Sequence, residues 1–445
     1  MAGAVAAGHP LTAAAGARVL ADGGTAVDAC IAAAFVAFVV EGPLAGPTGG
    51  GFFLLHGPDT GPTVLDCFFA VPDRPLGEME EVVIDFADAG TQTFHVGDGS
   101  VAVPGLLPGL EEAYRRAGSR AWEELLEPAI ALAREGFTRD EPRAFLHEIL
   151  TPILLRTEAG RRVYGDPDRV LTDELVTTLE RIRDVGAGAV RELLPEFSDD
   201  LGAYTVAERA PIHSSVLGRE VLATPAPSRG GRIVLDILEQ LAEAGDPSLE
   251  QRAGAIGRAY GPAATGPLPG TTHVSVVDDH GRAAGLSMTL GSGSGVFRGG
   301  CQLNNMLGEL DVIGVEDRPA GDRLPSMMTP TLVLEEGRPR LVLGSAGSVR
   351  LAGAIAQVVW SVVRSSTALE EAVSAPRVHV EGTTVHLEGG WSDDDAAALD
   401  PSWNVVRWSG RNLFFGGVSA VGLTADAGVA AAGDPRRGGA GVMVP

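Results

Sequence analysis

Residues 26–40, AVDACIAAAFVAFVV, constrain the fold more than any other stretch of the chain. The segment is apolar nearly all round, and Thr25 stands before it as a helix cap. A helix of this kind has no polar face to offer water, so other elements must enclose it on most sides. It is not a membrane span. Its most apolar part, Ala29–Val40, is too short to cross a bilayer and carries Asp28 and Glu41 at its ends. Ahead of it, residues 11–22 read as a first helix, stopped by Gly23 and Gly24. A helix buried on most sides suits a layered fold of helices and strands.

The rest of the chain supplies those layers. GPTGGG (residues 46–51) precedes the strand Phe52–His56, the reverse of the strand-then-glycine order of dinucleotide folds, so these glycines read as permitting close backbone packing. Thr63–Phe69 is a second strand, and residues 73–100 read as acidic and irregular. Helices are expected at Leu106–Ala117 and Ala121–Gly136, then over 139–200 with a break at Gly165–Asp168. Short strands fill 201–223, the helix Ile233–Ala244 follows, and residues 245–270 form a Pro/Gly/Ala-rich connector with one short helix around Ala253–Tyr260. Beyond a loop-rich stretch at 291–330 come a hairpin around Glu335-Glu336-Gly337, helices Val349–Arg364 and Leu369–Ala375, and short strands to residue 425. The fold class is α+β with several layers, in a chain of 445 residues that can bury a large core. With 5% aromatic residues and 60 glycines, that core is built mainly from Ala, Val and Leu.

Composition removes several kinds of chemistry. A formal charge of −24 argues against nucleic acid as a partner, because phosphate neutralisation needs clustered cations. All 34 basic residues are arginine, so no lysine can form a Schiff base, anchor pyridoxal phosphate, serve a P-loop or pair with a serine nucleophile. Cys30, Cys67 and Cys301 are far apart, with no CxxC, and indicate neither a disulfide framework nor a zinc site. His147-Glu148 begins an HExx pattern that Thr151 fails to complete, and GxSxG is absent. No metal or organic cofactor is called for. The N-terminus lacks a basic leader region, so the chain as written is expected to be soluble and cytoplasmic, and periplasmic or secreted if an export segment precedes it.

Chemistry concentrates at residues 270–291. THVSVVD and AAGLSMTL read as two strands around the turn Asp279-His280-Gly281, and Pro269-Gly270 exposes the peptide bond before Thr271. If that bond is cut, Thr271 gains an α-amine beside its own hydroxyl, one known way to activate a weak nucleophile. An ordinary hairpin with two strand-favouring threonines is the competing reading of this stretch alone.

Motifs spread along most of the chain, in order, resemble the gamma-glutamyltranspeptidase family of N-terminal-nucleophile hydrolases. They are GAVAAGHPLTAAAGARVLADGGTAVDACIAAA, GPTGGGFFLL, VPGLLPGLEEAYRRAG, PAIALAREGF, PAPSRGGRIVLDILEQL, TTHVSVVDDHG, LNNMLGELD, LPSMMTPTLVL and GSAGSVR. The resemblance implies a four-layer αββα sandwich made as a precursor that cuts itself before Thr271. Residues 1–270 and 271–445 would then be the large and small portions of one intertwined domain and stay associated. It implies Thr271 as nucleophile, with its freed amine as base, and Thr289 as the residue that positions it. Backbone N–H groups at Gly347 and Ser348 would hold the oxyanion, although Ser348 stands where the family usually has a second glycine. The substrate would be a small γ-glutamyl amide of the glutathione type, and the acceptor water or an amine.

The substrate pocket departs from the family pattern. The arginine expected to hold the substrate carboxylate is missing from LDCFFAVPDRPLG, where Phe68-Phe69 break the motif and Arg74 lies near but out of register. Gly291 replaces an Asn, Met306 a Gln, and Glu309 an Asp that would meet the substrate ammonium. Ser326-Met327 keeps one hydroxyl of a two-serine segment, and the short loop from Glu309 to Ser326 implies a reduced lid and an open site. Two alternatives therefore accompany the γ-glutamyl hydrolase or transferase reading. One is an acylase of the same family with altered acyl specificity for cephalosporin- or glutaryl-type amides. The other is a non-catalytic relative that serves as a binding protein.

Overall fold

The helix Ala26–Val40 is enclosed along its whole length, with all fifteen residues buried in the computed structural model. Its start is fixed by a reciprocal cap, in which Asp28 N–H donates to Thr25 Oγ1 at 3.1 Å and Thr25 N–H to Asp28 Oδ2 at 2.9 Å. The structure describes residues 3–85, 91–261, 270–423 and 428–445.

Two antiparallel sheets form the centre. Among the described residues the first has seven strands, in the order Ala440–Val444, Gly3–Ala7, Gly270–Val277, Ala283–Gly291, Gly50–Gly57, Gly61–Cys67 and Ala207–Arg209. The second has six, in the order Val429–Gly433, Gly417–Leu423, Arg338–Ala346, Thr331–Glu335, Arg219–Ala223 and Ile212–Val216. Helices Pro10–Ala21 and Ala26–Val40 pack on the outer face of the first sheet. Helices Gly230–Ala244 and Leu351–Ser365 pack on the second.

The period-2 alternation of the strand Gly270–Val277 sorts its side chains between two surroundings. Val274 and Val276 join the helix-side core. His273 and Ser275 turn to the second sheet, where Ser275 Oγ donates to Ser419 O at 3.0 Å. The glycine-rich run 46–51, which leads into the strand Gly50–Gly57, permits close packing, as expected: a Cβ on Gly51 would stand 2.5 Å from Ser287 O.

Residues 80–96 depart from expectation. Where an irregular acidic stretch was predicted, strands Glu80–Asp85 and Thr91–Val96 pair antiparallel, with Val82 opposite Phe94. Ile84, Phe94 and Val96 point into the core while the glutamates stay in solvent, so the acidic side chains mask the alternation. The helix in the connector also starts earlier than expected, running from Leu249 to Tyr260 under a Ser248–Gln251 cap. Residues 262–269 of that connector, Pro269 included, lie outside the described residues.

Candidate active site

Thr271 and Thr289 face each other across the central hairpin. The register shifts at that point: Thr271 opposes Thr289 but Gly270 opposes Gly291, which leaves Leu290 as the extra residue of a bulge. Leu290 satisfies its backbone elsewhere, donating to Leu44 O and accepting from Asn305 N–H, each at 3.0 Å. The bulge gathers three contacts on one hydroxyl. Thr289 Oγ1 accepts from Gly291 N–H at 2.9 Å and from the Thr271 hydroxyl at 3.4 Å, and donates its own proton to the carbonyl of Gly270. The peptide bond between Gly270 and Thr271 thus lies directly against the Thr pair.

A cleft opens beside this pair. Its lining includes Thr271, Thr289, Gly291, Met306, Glu309, Ser326 and Ser348, seven of the nine site residues named from the sequence. Gly347 adjoins Ser348. Arg74 is not brought there: its side chain is 90% exposed and lies 3.6 Å from Asp73. The other walls are Phe68, Val312, Met327, Met328 and Leu351, so the cleft is largely apolar.

Among the described residues Glu309 is the one ionisable side chain in that lining. Its Oε1 accepts from Ser292 N–H at 2.8 Å, while Oε2 is buried without a partner. Burial pushes its carboxyl above the ordinary carboxylate range, and the polar groups of Ser292 and Asn305 beside it offset only part of that rise. Gly291 makes this seat possible. It has φ +69°, and a Cβ there would fall 2.3 Å from Asn305 Oδ1 and 3.1 Å from Glu309 Oε1.

Gly347 and Ser348 form the turn from the strand Arg338–Ala346 into the helix that follows. Neither amide donates to another described group, and Ser348 lines the cleft. Ser348 adopts φ +58°, the left-handed conformation a glycine would take without strain, and its hydroxyl is buried and unpartnered. The Cβ is therefore accommodated and the backbone donor is kept.

Thr271 also lines a second cavity, whose walls include Glu41, Arg143, Thr272, His273 and Arg437. Glu41, at the end of the all-buried helix, accepts from Thr272 Oγ1 at 2.7 Å and from Thr12 Oγ1 at 2.9 Å, with Arg143 at 3.9 Å. Burial lowers the Arg437 guanidinium to about 10. His273 is neutral, pulled down to about 3 by burial and hydrogen-bonded to Ser287 and Ser275, so it is no base for Thr271. Neither Glu41 nor Arg143 is near Thr272 in the chain; the fold brings Glu41 to Thr272 and Arg143 to Glu41. A possible ligand set for a metal at Asp278, Asp279 and His280 is weakened because Asp278 already accepts from Ala26 N–H and Arg282 Nε.

The gamma-glutamyltranspeptidase family profile matches residues 12–191 and 246–444. The chain belongs to this family. Its relatives include both kinds of enzyme considered above. It is 29% identical to the glutathione hydrolase proenzyme of Pseudomonas aeruginosa, over 99% of this chain and 94% of that one. It is 27% identical to the acylase ACY 1 proenzyme of Pseudomonas sp. strain SE83, over 95% and 90%. The cephalosporin acylase structure from Bacillus halodurans superimposes with a TM-score of 0.82 over 99% of this chain and 95% of that one, at 20% identity, a likeness of fold. Among the described residues no helix is long and apolar enough to cross a membrane.

Proposed function

We propose that this member of the gamma-glutamyltranspeptidase family is a threonine amidohydrolase and acyltransferase that activates itself by cutting the Gly270–Thr271 bond. The layers of helix, sheet, sheet and helix are read as the αββα sandwich of N-terminal-nucleophile hydrolases. The observation that carries the proposal is the set of contacts on Thr289, which joins the Thr271 hydroxyl to the carbonyl of the bond to be cut.

Self-cleavage follows that geometry. Thr271 Oγ attacks the Gly270 carbonyl carbon and passes its proton to Thr289, whose own proton goes to the carbonyl oxygen. Collapse breaks the C–N bond, and the amine takes up a proton to leave a Gly270 ester on Thr271. Water hydrolyses that ester and frees both the hydroxyl and the α-amine. The amine, with a reference pKa of about 7.7–8.0, is the base for later turnovers near neutral pH. The two pieces stay together because Gly3–Ala7 of the first lies, in one sheet, between the strand that begins the second at Thr271 and the strand Ala440–Val444 that ends it.

In turnover the same hydroxyl attacks a substrate amide. The free amides of Gly347 and Ser348 stabilise the oxyanion, the acyl group occupies the cleft with Glu309, and the leaving group occupies the cavity with Arg143 and Arg437. Water or an amine then takes the acyl group. The substrates are γ-glutamyl amides of the glutathione type on the first reading. The second reading, an acylase of the family with another acyl specificity, is supported by one observation: among the described residues neither arginine nor histidine lines the cleft to hold a γ-glutamyl or glutaryl carboxylate, and Arg74 is far out in solvent.

Purified protein tested for Thr271 as a new N-terminus, and for release of p-nitroaniline from γ-glutamyl and glutaryl anilides, separates the readings. An uncut chain without turnover leaves only a binding role.

A further inference from the structure

Among the described residues the acyl cleft has an acid with an unused oxygen and no counter-ion. Glu309 is 3% exposed, its Oε1 is tied to the Ser292 amide, and Oε2 is unpartnered. A buried acceptor of that kind is costly until something donates to it. The other polar side chains on the walls are hydroxyls: Thr271, Thr289, Ser326 and Ser348. Of these Ser326 already accepts from Met328 N–H at 3.0 Å. Arg229 and Arg318, on the segment behind, end on the backbone carbonyls of Val312 and Ile313, each at 2.9 Å, and neither lines the cleft. Three methionines, Phe68, Val312 and Leu351 complete the enclosure.

From this we propose that the acyl group of the substrate is an apolar chain bearing an amine and no carboxylate, with the amine donating to Glu309 Oε2. The inference rests on the reading of Thr271 as the acylated residue and sharpens it to a substrate class. An ammonium supplies the missing donor and the missing counter-charge together. A carboxylate in the same space would meet no cation and would share an apolar enclosure with Glu309, so like charges would oppose its entry. The methionines shape themselves to an unbranched chain without asking for polar partners.

Four anilides form a complete test: γ-glutamyl has amine and carboxylate, 4-aminobutyryl the amine alone, glutaryl the carboxylate alone, and butyryl neither. With the processed enzyme, kcat/KM for 4-aminobutyryl-p-nitroanilide should exceed that for the butyryl compound by about tenfold or more, and the glutaryl and γ-glutamyl compounds should lie below it. In Glu309→Gln the ratio of 4-aminobutyryl to butyryl should fall to about one. Highest turnover of the glutaryl or γ-glutamyl compound, or an unchanged ratio in Glu309→Gln, overturns the inference.

Binding to Thr271→Ala, followed by calorimetry with 4-aminobutyramide and glutaramate, reads the cleft without any chemistry. Tighter binding of the amine is expected, and tighter binding of the carboxylate refutes the inference. If the natural chain never exposes Thr271 while Thr271→Ala still prefers the amine, the catalytic reading fails and the cleft assignment stands.

Discussion

Thr289→Val removes one hydroxyl while nearly keeping the shape of the side chain. In the intact chain that oxygen accepts from Gly291 N–H and from the Thr271 hydroxyl, and it donates to the Gly270 carbonyl. As charge develops on that carbonyl oxygen during self-cleavage, the donated bond strengthens. Donors aimed at developing oxyanions contribute about 2.7–4 kcal/mol, so cleavage of the valine variant should slow by roughly 10²–10³-fold. The variant also strands the Gly291 amide, at a cost of about 1–3 kcal/mol in stability. Thr289→Ser keeps the donor and should cleave within about tenfold of the natural rate. The assay is disappearance of the 45.8 kDa chain on a denaturing gel, starting from freshly purified precursor. Cleavage of Thr289→Val at the natural rate would refute the relay through this hydroxyl.

Other substitutions read the surroundings of the site. Gly291→Ala forces a Cβ into a left-handed position against Asn305 and Glu309, and should destabilise the chain by about 2–4 kcal/mol in denaturant titrations. Glu309 holds its proton more tightly folded than unfolded, so its burden on stability is absent at acid pH and grows as pH rises through its raised value. Glu309→Gln should therefore raise Tm at neutral and alkaline pH and leave it nearly unchanged near pH ~4. Arg436 ties Asp434 and Glu388 within a buried set that also holds Arg377. Arg436→Met leaves those acids short of charge and should cost about 3–5 kcal/mol. Burial alone would raise Asp434, but Arg377 and Arg436 hold it below its ordinary value. That stability is present above the unfolded value and lost as pH falls through the folded one, so the variant should show a weaker acid dependence of Tm.

Local pattern carried much of the site. Strand period and the Asp279–Gly281 turn made the Thr271–Thr289 pairing legible, and the motifs around residues 303–309, 326 and 344–350 reach the same cleft through loops tied to that hairpin. The all-apolar helix foretold its own burial. What stayed hidden depends on distance in the chain. Glu41 meets Thr272 across 231 positions, and nothing in either neighbourhood announces the other. Glu41 reads locally as the polar end of an apolar helix, although it is 1% exposed. The strands of residues 80–96 hid behind their glutamates, because only every second side chain is buried. Arg74 was named for its nearness in sequence to the expected position, and the loop carries it into solvent beside Asp73.

Intact-mass measurement with N-terminal sequencing of purified protein, before and after incubation, tests self-activation most directly. Two species are expected, corresponding to residues ending at Gly270 and beginning at Thr271, with Thr271→Ala remaining a single chain. A natural chain that stays whole, or one cut at any other bond, would contradict Thr271 as the N-terminal nucleophile.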